Sequence, residues 1–463
     1  MNRTLTESAR QTSVLDEVDV LVLGGGPAGL AAAASAAQSG ARTLLVERYG
    51  FLGGMGTAAG VTNFCGLHAN VHGTIRQVVH GVADDLLSRI DALGGLNAPH
   101  FLFDGRIAAQ AYDTAAFKIA ADELLAASGA QVLLHAWVAG VAMRDAANLD
   151  AVFIETKSGR FAVRARCFID CTGDGDVAAL AGASFEKGVD GHNMMYPSTM
   201  MRVGGVDPVK AGPAWASVAS LMEQACARGE RFARKSPILR PQKNPTEWRA
   251  NVSQLARPDG GPVDGTDALQ LSAAEAEGRR QAAHFLRFLR RDVPGFESAY
   301  LMDIPPQIGV RETRRVIGDY QLSEQDVLSC ASFDDTIGVN GWMVEEHVAG
   351  NVSFRWPEGT ATPEGRAANR GFNQLPWRML LPQGMDNLLV AGRCASMTHG
   401  GQSAARVSGG CFVMGQAAGT GAAMALSRSV APRSIEVAGL QNQLLISGAF
   451  LGKDGENLPN TIQ

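Results

Sequence analysis

The feature that most constrains this chain is a short apolar run that leads directly into a glycine-rich turn. Residues 18–23 (VDVLVL) are almost wholly apolar and rich in Val, as in a parallel strand that is buried on both faces. The turn GGGPAG follows at 24–29, and a stretch of small residues continues to Gln38. A second apolar run over 43–46 ends on Glu47. The pattern predicts a strand, a tight turn, a helix and a second strand.

Each residue of the turn has a physical role in binding a dinucleotide. Gly24 permits the tight turn, Gly26 lets the backbone approach a pyrophosphate, and Gly29 lets the helix and the strand pack closely. Pro27 suits the first helical turn, where its missing N–H costs no hydrogen bond. The helix N-terminus presents free N–H groups to the phosphates, and Glu47 can accept hydrogen bonds from the ribose hydroxyls. A glycine-rich turn without a ligand would not require Glu47, so the pattern favours dinucleotide binding.

The segment that follows Glu47 favours FAD over NAD. Residues 48–57 read RYGFLGGMGT, and FAD enzymes need such a loop because the chain runs beside the pyrophosphate, the ribityl chain and the flavin ring. A further apolar strand stops at Thr172-Gly173-Asp174, which is a second phosphate-edge pattern. Residues 386–393 (DNLLVAGR) provide another apolar strand that ends in glycine.

A glycine-rich helix is predicted from about Gln402 to Ser427. Its interior glycines are Gly409, Gly410, Gly415, Gly419 and Gly421. Because each interior glycine costs about 1 kcal/mol relative to Ala, we expect backbone or ligand to lie close to this helix. The dipole of such a helix, aimed at the pyrimidine end of a flavin, would stabilise the anionic reduced ring.

Five motifs together carry a family resemblance: GGGPAG, ERYGFLGGMGT, IDCTGDGD, GVRETRR and NLLVAGRCASMTHGGQSAARV. In this order, from about residue 18 to 430, they resemble the FAD-dependent oxidoreductase family related to the fumarate-reductase-like and glutathione-reductase-2-type flavoproteins. The resemblance implies a bound FAD. It implies cofactor contacts at Gly24, Gly26, Pro27, Ala28, Gly29, Glu47, Arg48, Gly54, Met55, Thr57, Val138 (adenine side), Thr172, Gly173, Gly392, Arg393, Gln402 and Ser403.

The expected fold class is α/β, with a discontinuous Rossmann-like FAD-binding domain and an inserted α+β substrate domain. The predicted boundaries are 15–185 for the first part of the FAD-binding domain, 186–385 for the substrate or cap domain, 386–430 for the completing segment and 431–463 for a C-terminal tail. Within the insert, residues 237–265 are rich in Pro, Asn, Asp and Gly, which favours a long surface loop or a link between subdomains. Residues 271–291 have the apolar spacing of an amphipathic helix.

Three residues are candidates for catalysis. His399 lies between the last strand and the glycine-rich helix, where an imidazole could act as general base on a substrate hydroxyl or amine. The alternative is a His399 that only hydrogen-bonds the cofactor or a backbone carbonyl. Arg311 and Arg314 belong to the GVRETRR motif, and a guanidinium holds a carboxylate through two parallel hydrogen bonds. The alternative for these arginines is a structural ion pair with Glu312 or a neighbouring acid.

A second group of residues raises the question of covalent flavin attachment. Cys65 and His68 follow the predicted flavin loop, and some flavoproteins attach the flavin through such side chains. A packing role is the favoured interpretation for both. Cys394 lies close to the predicted site without a partner cysteine, so the sequence does not support a dithiol relay.

The predicted activity is the dehydrogenation or oxidation of a small organic molecule, anionic if Arg311 faces the flavin, by hydride transfer to flavin N5. One alternative is the reverse direction, the reduction of an activated C=C bond. Another is a flavin-binding protein without catalysis. The chain lacks the GDAAH-type turn of aromatic hydroxylases and the CxxxxC of disulfide reductases, which disfavours both classes. The substrate and the electron acceptor (oxygen, a quinone or a carrier protein) are left open.

Charge and cysteine content restrict the partners. The 41 Lys and Arg against 46 Asp and Glu give a net charge of −5 without a long basic block, which disfavours nucleic acid. The seven cysteines are odd in number and irregularly spaced, which argues against a disulfide framework. The polar start lacks the apolar core of a signal peptide, and no metal-binding set stands out. We therefore expect a cytoplasmic protein with a small-molecule substrate, no membrane partner and, by class, a homodimer.

Overall fold

The computed structural model of the chain describes residues 5–191, 193–357, 369–453, 455–458 and 461. The ranges predicted for the substrate domain and the C-terminal tail therefore extend partly outside the described residues, at 192, 358–368, 454, 459–460 and 462–463.

The strands are β1 (Ser13–Leu23), β2 (Thr43–Val46), β3 (Asn63–Phe64), β4 (His68–Val71), β5 (Thr74–Gln77), β6 (Leu96–Leu102), β7 (Ile107–Tyr112), β8 (Gln131–Leu133), β9 (Trp137–Met143), β10 (Leu149–Thr156), β11 (Gly159–Asp170), β12 (Phe185–Lys187), β13 (Met200–Gly204), β14 (Ile238–Pro241), β15 (Trp248–Asn251), β16 (Tyr300–Asp303), β17 (Arg314–Val316), β18 (Thr336–Asn340), β19 (Val344–Val348), β20 (Asn351–Arg355), β21 (Asn373–Pro376) and β22 (Leu388–Val390).

The α-helices are α1 (Pro27–Gln38), α2 (Met55–Ala58), α3 (Val82–Ala92), α4 (Thr114–Ser128), α5 (Asp176–Leu180), α6 (Pro208–Ala211), α7 (Ala214–Ala227), α8 (Ala268–Asp292), α9 (Glu324–Leu328), α10 (His399–Ala405), α11 (Ser408–Ser427) and α12 (Val437–Ile446). Short 3₁₀ turns occur at Trp377–Leu380 and Pro432–Ser434. Within the described residues, no helix combines the length and the apolar character that crossing a bilayer requires.

The central sheet has the strand order β8-β2-β1-β11-β10-β9, and β22 also pairs with β11. Strands β8, β2, β1, β11 and β22 are parallel to one another. Strand β10 pairs antiparallel with both β11 and β9. Val20, Leu21, Val22 and Leu23 are fully buried, as expected for a strand covered on both faces. The α/β class and the Rossmann-like sheet are thus confirmed. The pairing of Phe168 with Leu388 brings the segment after residue 386 back to this sheet, whereas the domain boundaries stay predictions.

Helix α11 packs directly on helix α1 through glycines. A Cβ atom on Gly415 would clash with the carbonyl oxygen of Ala28, and one on Gly419 with that of Ala32. Gly415 and Gly419 are four residues apart, as are Ala28 and Ala32. The glycines of α11 therefore lie along the alanines of α1, and the two backbones are in contact. The predicted continuous helix over 402–427 is wrong in one respect. Helix α10 ends at Ala405 and α11 begins at Ser408. Between them Val407 has extended backbone, so the chain leaves the helical conformation there.

The inserted segment contains a four-stranded antiparallel sheet in the order β14-β15-β13-β16. Trp248 and Ala250 of β15 belong to an apolar core that also includes residues of α7 and α8. The predicted helix over 271–291 lies within α8. The expected surface loop over 237–265 is wrong for β14 and β15, because the buried Trp248 draws this polar stretch into the sheet.

Candidate active site

The glycine turn joins β1 to α1 with very little space around it. Gly24 has φ +100°, and a Cβ atom there would clash with the carbonyl oxygen of Cys171 on the neighbouring strand. A Cβ on Gly29 would likewise clash with the carbonyl oxygen of Gly24. Pro27 opens α1 after Gly26, and no side chain of the described residues caps this helix end. The first N–H groups of α1 are therefore available to a phosphate.

Glu47 lies at the end of β2 and contacts this turn. Its carboxylate is buried, and Oε2 accepts a hydrogen bond of 2.6 Å from the N–H of Gly25. Oε1 accepts the N–H of Tyr49 at 3.0 Å. The neighbouring Arg48 lies over the rings of Tyr49 and Trp137 and donates to Gln307 Oε1 at 3.2 Å. Each carboxylate oxygen retains a lone pair for a ribose hydroxyl.

The loop after Arg48 comes back against the glycine turn. A Cβ on Gly54 would lie 2.6 Å from the Cα of Gly26, so these two backbones touch. Met55 Sδ accepts a hydrogen bond of 3.3 Å from Gln307, and Thr57 donates to the carbonyl oxygen of Leu52 at 2.7 Å.

Val138 reaches the same region from β9. Two residues earlier, the N–H of Ala136 donates to the carbonyl oxygen of Glu47 at 3.0 Å. Glu47 and the segment that leads into Val138, both predicted to contact the adenosine half of the cofactor, thus lie next to each other.

The two later glycine motifs meet at the carboxyl ends of β11 and β22. Thr172 donates to Asp170 Oδ1 at 2.7 Å, and Gly173 lies against the guanidinium of Arg393. Arg393 in turn pairs with Asp174 at 2.8 Å. A Cβ on Gly392 would lie 3.0 Å from the Cβ of Ala28, at the start of α1. The three motifs therefore converge at one edge of the sheet, which is where α/β sheets bind ligands.

Several buried polar atoms of the described residues in this region have no hydrogen-bond partner, and they include Thr62 Oγ1, Asn63 Oδ1, Gln402 Oε1 and Arg406 Nε. Buried polar groups are normally paired, so these atoms indicate that a polar ligand completes the site. The FAD molecule presents both donors and acceptors along its length, and the unpaired atoms include both kinds. Ser403, by contrast, is fully buried and donates to the carbonyl oxygen of Gly400 at 2.7 Å.

His399 is the first residue of α10, and Glu312 holds its ring. The Nδ1 atom lies 2.9 Å from Glu312 Oε2, while Nε2 lies 3.6 Å from Glu346 Oε1. Glu312 is fully buried and also accepts the N–H of Met195 at 2.9 Å and the guanidinium of Arg315. The contact through Nδ1 fixes the orientation of the imidazole and directs Nε2 away from Glu312.

Arg311 and Arg314 have different environments. Arg311 donates to the carbonyl oxygen of Tyr196 at 2.7 Å and to Ser198 Oγ at 2.8 Å, and no carboxylate of the described residues pairs with it. Burial lowers the pKa of Arg311 well below its ordinary value, and the charges of Arg406 and Arg234 act in the same direction. Arg314 instead pairs with Asp176 at 2.9 Å. The geometry of Arg314 corresponds to the structural ion pair, not to a substrate contact.

Several charged residues lie beside Arg311 that were not among the predicted site residues. Arg406 is half-buried, and burial lowers its pKa against the charges of Glu345 and Glu312. Burial also lowers the pKa of Arg234 to about 10. Glu345 pairs with His347 at 3.2 Å. Burial lowers the pKa of His347 well below its ordinary value, and the charge of the nearby Arg311 lowers it further. Arg406 lies inside the NLLVAGRCASMTHGGQSAARV motif and could have been found there, whereas only the tertiary structure brings Arg234 and Glu345 to the site.

Among the comparisons with known proteins, the family profile is the one that names a cofactor. The profile of the FAD dependent oxidoreductase family matches residues 19–444. No curated protein sequence matches the chain. Among solved structures, a geranylgeranyl bacteriochlorophyll reductase-like protein from Thermoplasma acidophilum is similar at 15% identity and TM-score 0.46, over 94% of this chain and 84% of that one. The p-nitrophenol 4-monooxygenase from Pseudomonas putida DLL-E4 is similar at 11% identity and TM-score 0.47, over 95% and 91%. At such scores the structural likeness carries no argument about activity.

The family match spans most of the chain and includes every motif that meets at the sheet edge. The glycine turn, the uncapped α1 and the unpaired polar atoms suit the cofactor that this family uses. The chain therefore belongs to the FAD dependent oxidoreductase family and is an enzyme with FAD as its cofactor.

Proposed function

We propose that this enzyme dehydrogenates a small anionic organic molecule, with His399 accepting the proton and Arg311 holding the anionic group. The observation that carries the proposal is the contact between His399 and the buried Glu312, next in the chain to an Arg311 that no carboxylate of the described residues neutralises. The proposed base and the proposed anion-binding group lie on neighbouring segments, because Gln402 of α10 donates to the carbonyl oxygen of Arg311 at 3.3 Å.

The proton step is assigned to Nε2 of His399. Glu312 accepts the hydrogen bond from Nδ1, which leaves Nε2 as the atom that can take a proton from a substrate hydroxyl or amine. The imidazole is largely buried, with a side-chain exposure of 16%, so little solvent competes for it. FAD, when bound, supplies a two-electron acceptor for the hydride that leaves the substrate carbon.

Arg311 is assigned to substrate binding because it forms no ion pair within the described residues, and the charge of Glu345 raises its pKa only from a longer distance. Its two hydrogen bonds go to a carbonyl and a hydroxyl oxygen, both uncharged, and Arg406 and Arg234 add further positive charge nearby. Holding several cations in a buried region is costly, and an anionic substrate lowers that cost. The planar guanidinium also fixes the orientation of a carboxylate through paired hydrogen bonds.

The test is the anaerobic reduction of the bound flavin by small hydroxy and amino acids. The loss of visible absorbance measures the rate of this reduction. With a substrate that bleaches the wild type, we expect His399→Asn to slow reduction by about 10²–10⁴-fold, the usual contribution of a general base. Arg311→Met is expected to weaken substrate binding by about 10²-fold, because a charged hydrogen-bonded pair is lost.

His284→Asn is the matched control, because His284 lies on α8 and is partly exposed. It is expected to leave the reduction rate within about twofold of the wild type. The proposal fails if His399→Asn and Arg311→Met, with full FAD content, reduce at the rate of this control.

A further inference from the structure

Three arginines lie in one row across the four-stranded sheet of the inserted segment. Arg249 on β15 is directly opposite Arg240 on β14 and Arg202 on β13. Residues that face each other on neighbouring strands point to the same side of a sheet, with Cβ atoms about 5 Å apart. Like charges in such positions repel, so this row needs negative charge to be stable.

The row faces the FAD-binding part of the molecule. Trp248 and Ala250 turn toward the apolar core of the inserted segment, so Arg249 between them points to the opposite face of the sheet. There its Nη1 donates to the carbonyl oxygen of Val61 at 2.8 Å. Val61 lies shortly after Thr57 in the chain, at the end of the predicted flavin loop. Arg249 is thus directed at the region that follows the predicted flavin loop, while the guanidinium of Arg240 also lies over the ring of Trp215 on α7.

Acidic side chains neutralise only one member of the row. Arg202 pairs with Glu247 at 2.7 Å and with Asp113 at 3.4 Å. Arg240 donates to the carbonyl oxygen of the preceding residue, Leu239. Within the described residues, neither Arg240 nor Arg249 forms an ion pair with an acidic side chain. Arg249 is more than nine-tenths buried, and its Nε has no hydrogen-bond partner among these residues.

His100 lies close to the same two arginines. Burial lowers the pKa of its imidazole to about 4, and the charges of Arg249 and Arg240 contribute to this. Its Nε2 is buried and, in the described part of the chain, unpaired. The Nε atom of a buried guanidinium and the Nε2 atom of an imidazole therefore both lack partners among the described residues, near a second guanidinium.

We propose that Arg240, Arg249 and His100 form a second anion-binding site for a carboxylate or phosphate group of the substrate. This rests on the proposed function, in which Arg311 holds the first anionic group. The two sites lie along one stretch of chain, because Arg311 donates to Ser198 Oγ and Arg249 lies opposite Arg202, four residues after Ser198. The preferred substrate therefore carries two anionic groups, one for each site.

The test measures the binding of simple anions to the FAD-loaded enzyme through its melting temperature, at constant ionic strength. The probes are butyrate with one carboxylate, glutarate with two, and inorganic phosphate. We expect wild type to bind glutarate or phosphate at least about tenfold more tightly than butyrate. The probe that shows the preference identifies the anionic group as carboxylate or phosphate.

Arg249→Met and Arg240→Met are expected to abolish this preference while butyrate affinity changes by less than about threefold. Arg287→Met, an exposed arginine of α8, is the control and should retain the preference. If Arg249→Met does not fold, Arg240→Met decides, because Arg240 is only partly buried.

The inference is overturned if wild type shows no preference for the doubly charged probes, or if Arg240→Met retains it. Failure of the proposed function gives a different result, because butyrate affinity would then be unaffected by Arg311→Met. The two proposals can therefore fail separately.

Discussion

The imidazole of His399 and the carboxylate of Glu312 lie 2.9 Å apart, between Nδ1 and Oε2, and the side chain of Glu312 is fully buried. The same carboxylate also accepts hydrogen bonds from Arg315 and from the N–H of Met195. One carboxylate thus connects the first residue of α10 with the inserted segment, and it both orients the imidazole and neutralises a buried arginine.

Glu312→Gln is expected to reduce the free energy of unfolding by about 3 kcal/mol, because it leaves the buried Arg315 without its main counter-charge. It is also expected to slow flavin reduction, since the amide no longer holds His399 in the same way. Urea unfolding and anaerobic bleaching measure the two effects. Glu186→Gln is the control, because Glu186 lies 3.5 Å from Arg315 but is half exposed, and it should cost less than about 1 kcal/mol. Equal losses in both variants would contradict the prediction.

His68 predicts a dependence of stability on pH. It is fully buried, both ring nitrogens lack hydrogen-bond partners among the described residues, and burial lowers the pKa of its imidazole to about 4. Because the unfolded chain binds this proton near pH 6.5 and the folded chain only near pH 4, the contribution of the neutral ring to stability is present above about pH 6.5 and is lost as the pH falls to about 4.

His68→Leu is therefore expected to raise the free energy of unfolding by about 1–3 kcal/mol at neutral pH, since an unpaired polar group is removed. Its advantage over the wild type should grow as the pH falls through this window. Urea titrations at several pH values measure the difference. A constant difference across the window would show that His68 is paired or protonated in the folded protein. His284→Gln, on the partly exposed side of α8, is the control for the replacement of a histidine.

The glycines of α11 predict the effect of one methyl group. Gly415→Ala and Gly419→Ala gain about 1 kcal/mol in helix propensity, yet each new methyl group would clash with a carbonyl oxygen of α1. Overpacking of this kind costs about 1–3 kcal/mol or more, so both variants should be less stable and retain less FAD, because the start of α1 is displaced. In Gly439→Ala on α12, the nearest atom is the end of the Arg428 side chain at 3.3 Å. That variant should be as stable as the wild type or more stable, and its FAD content is the reference.

The cysteine environments predict that FAD is held without a covalent bond. Burial raises the pKa of Cys65 and of Cys411 to about 12, and that of Cys171 and Cys394 well above the ordinary value. Only the thiolate is a strong nucleophile, so these thiols are unreactive at neutral pH. After acid precipitation, the flavin absorbance is expected in the supernatant. A yellow pellet would contradict the prediction, and Cys65→Ala and His68→Leu would then show which side chain carries the flavin.

The sequence alone predicted the cofactor half of this protein. The turn at Gly24, the acid at Glu47 and the strand that ends at Gly392 depend on local backbone chemistry, which neighbouring residues determine. The glycines of the last helix also indicated a close backbone approach. What they did not reveal is the break at Val407, because an N-cap without a side-chain hydrogen bond leaves no signal in the residue types.

The tertiary structure decided the substrate half. Arg240 and Arg249 lie on the two strands of one hairpin and Arg202 lies 38 residues before Arg240, and only the register of β14, β15 and β13 places them in one row. The same holds for His399 and Glu312, which are 87 residues apart. Strand register and domain packing follow from the burial of many apolar side chains at once, such as Trp248 among the helices of the inserted segment. For this reason the sequence predicted which residues hold FAD, and the fold decided which charges lie around the proposed substrate site.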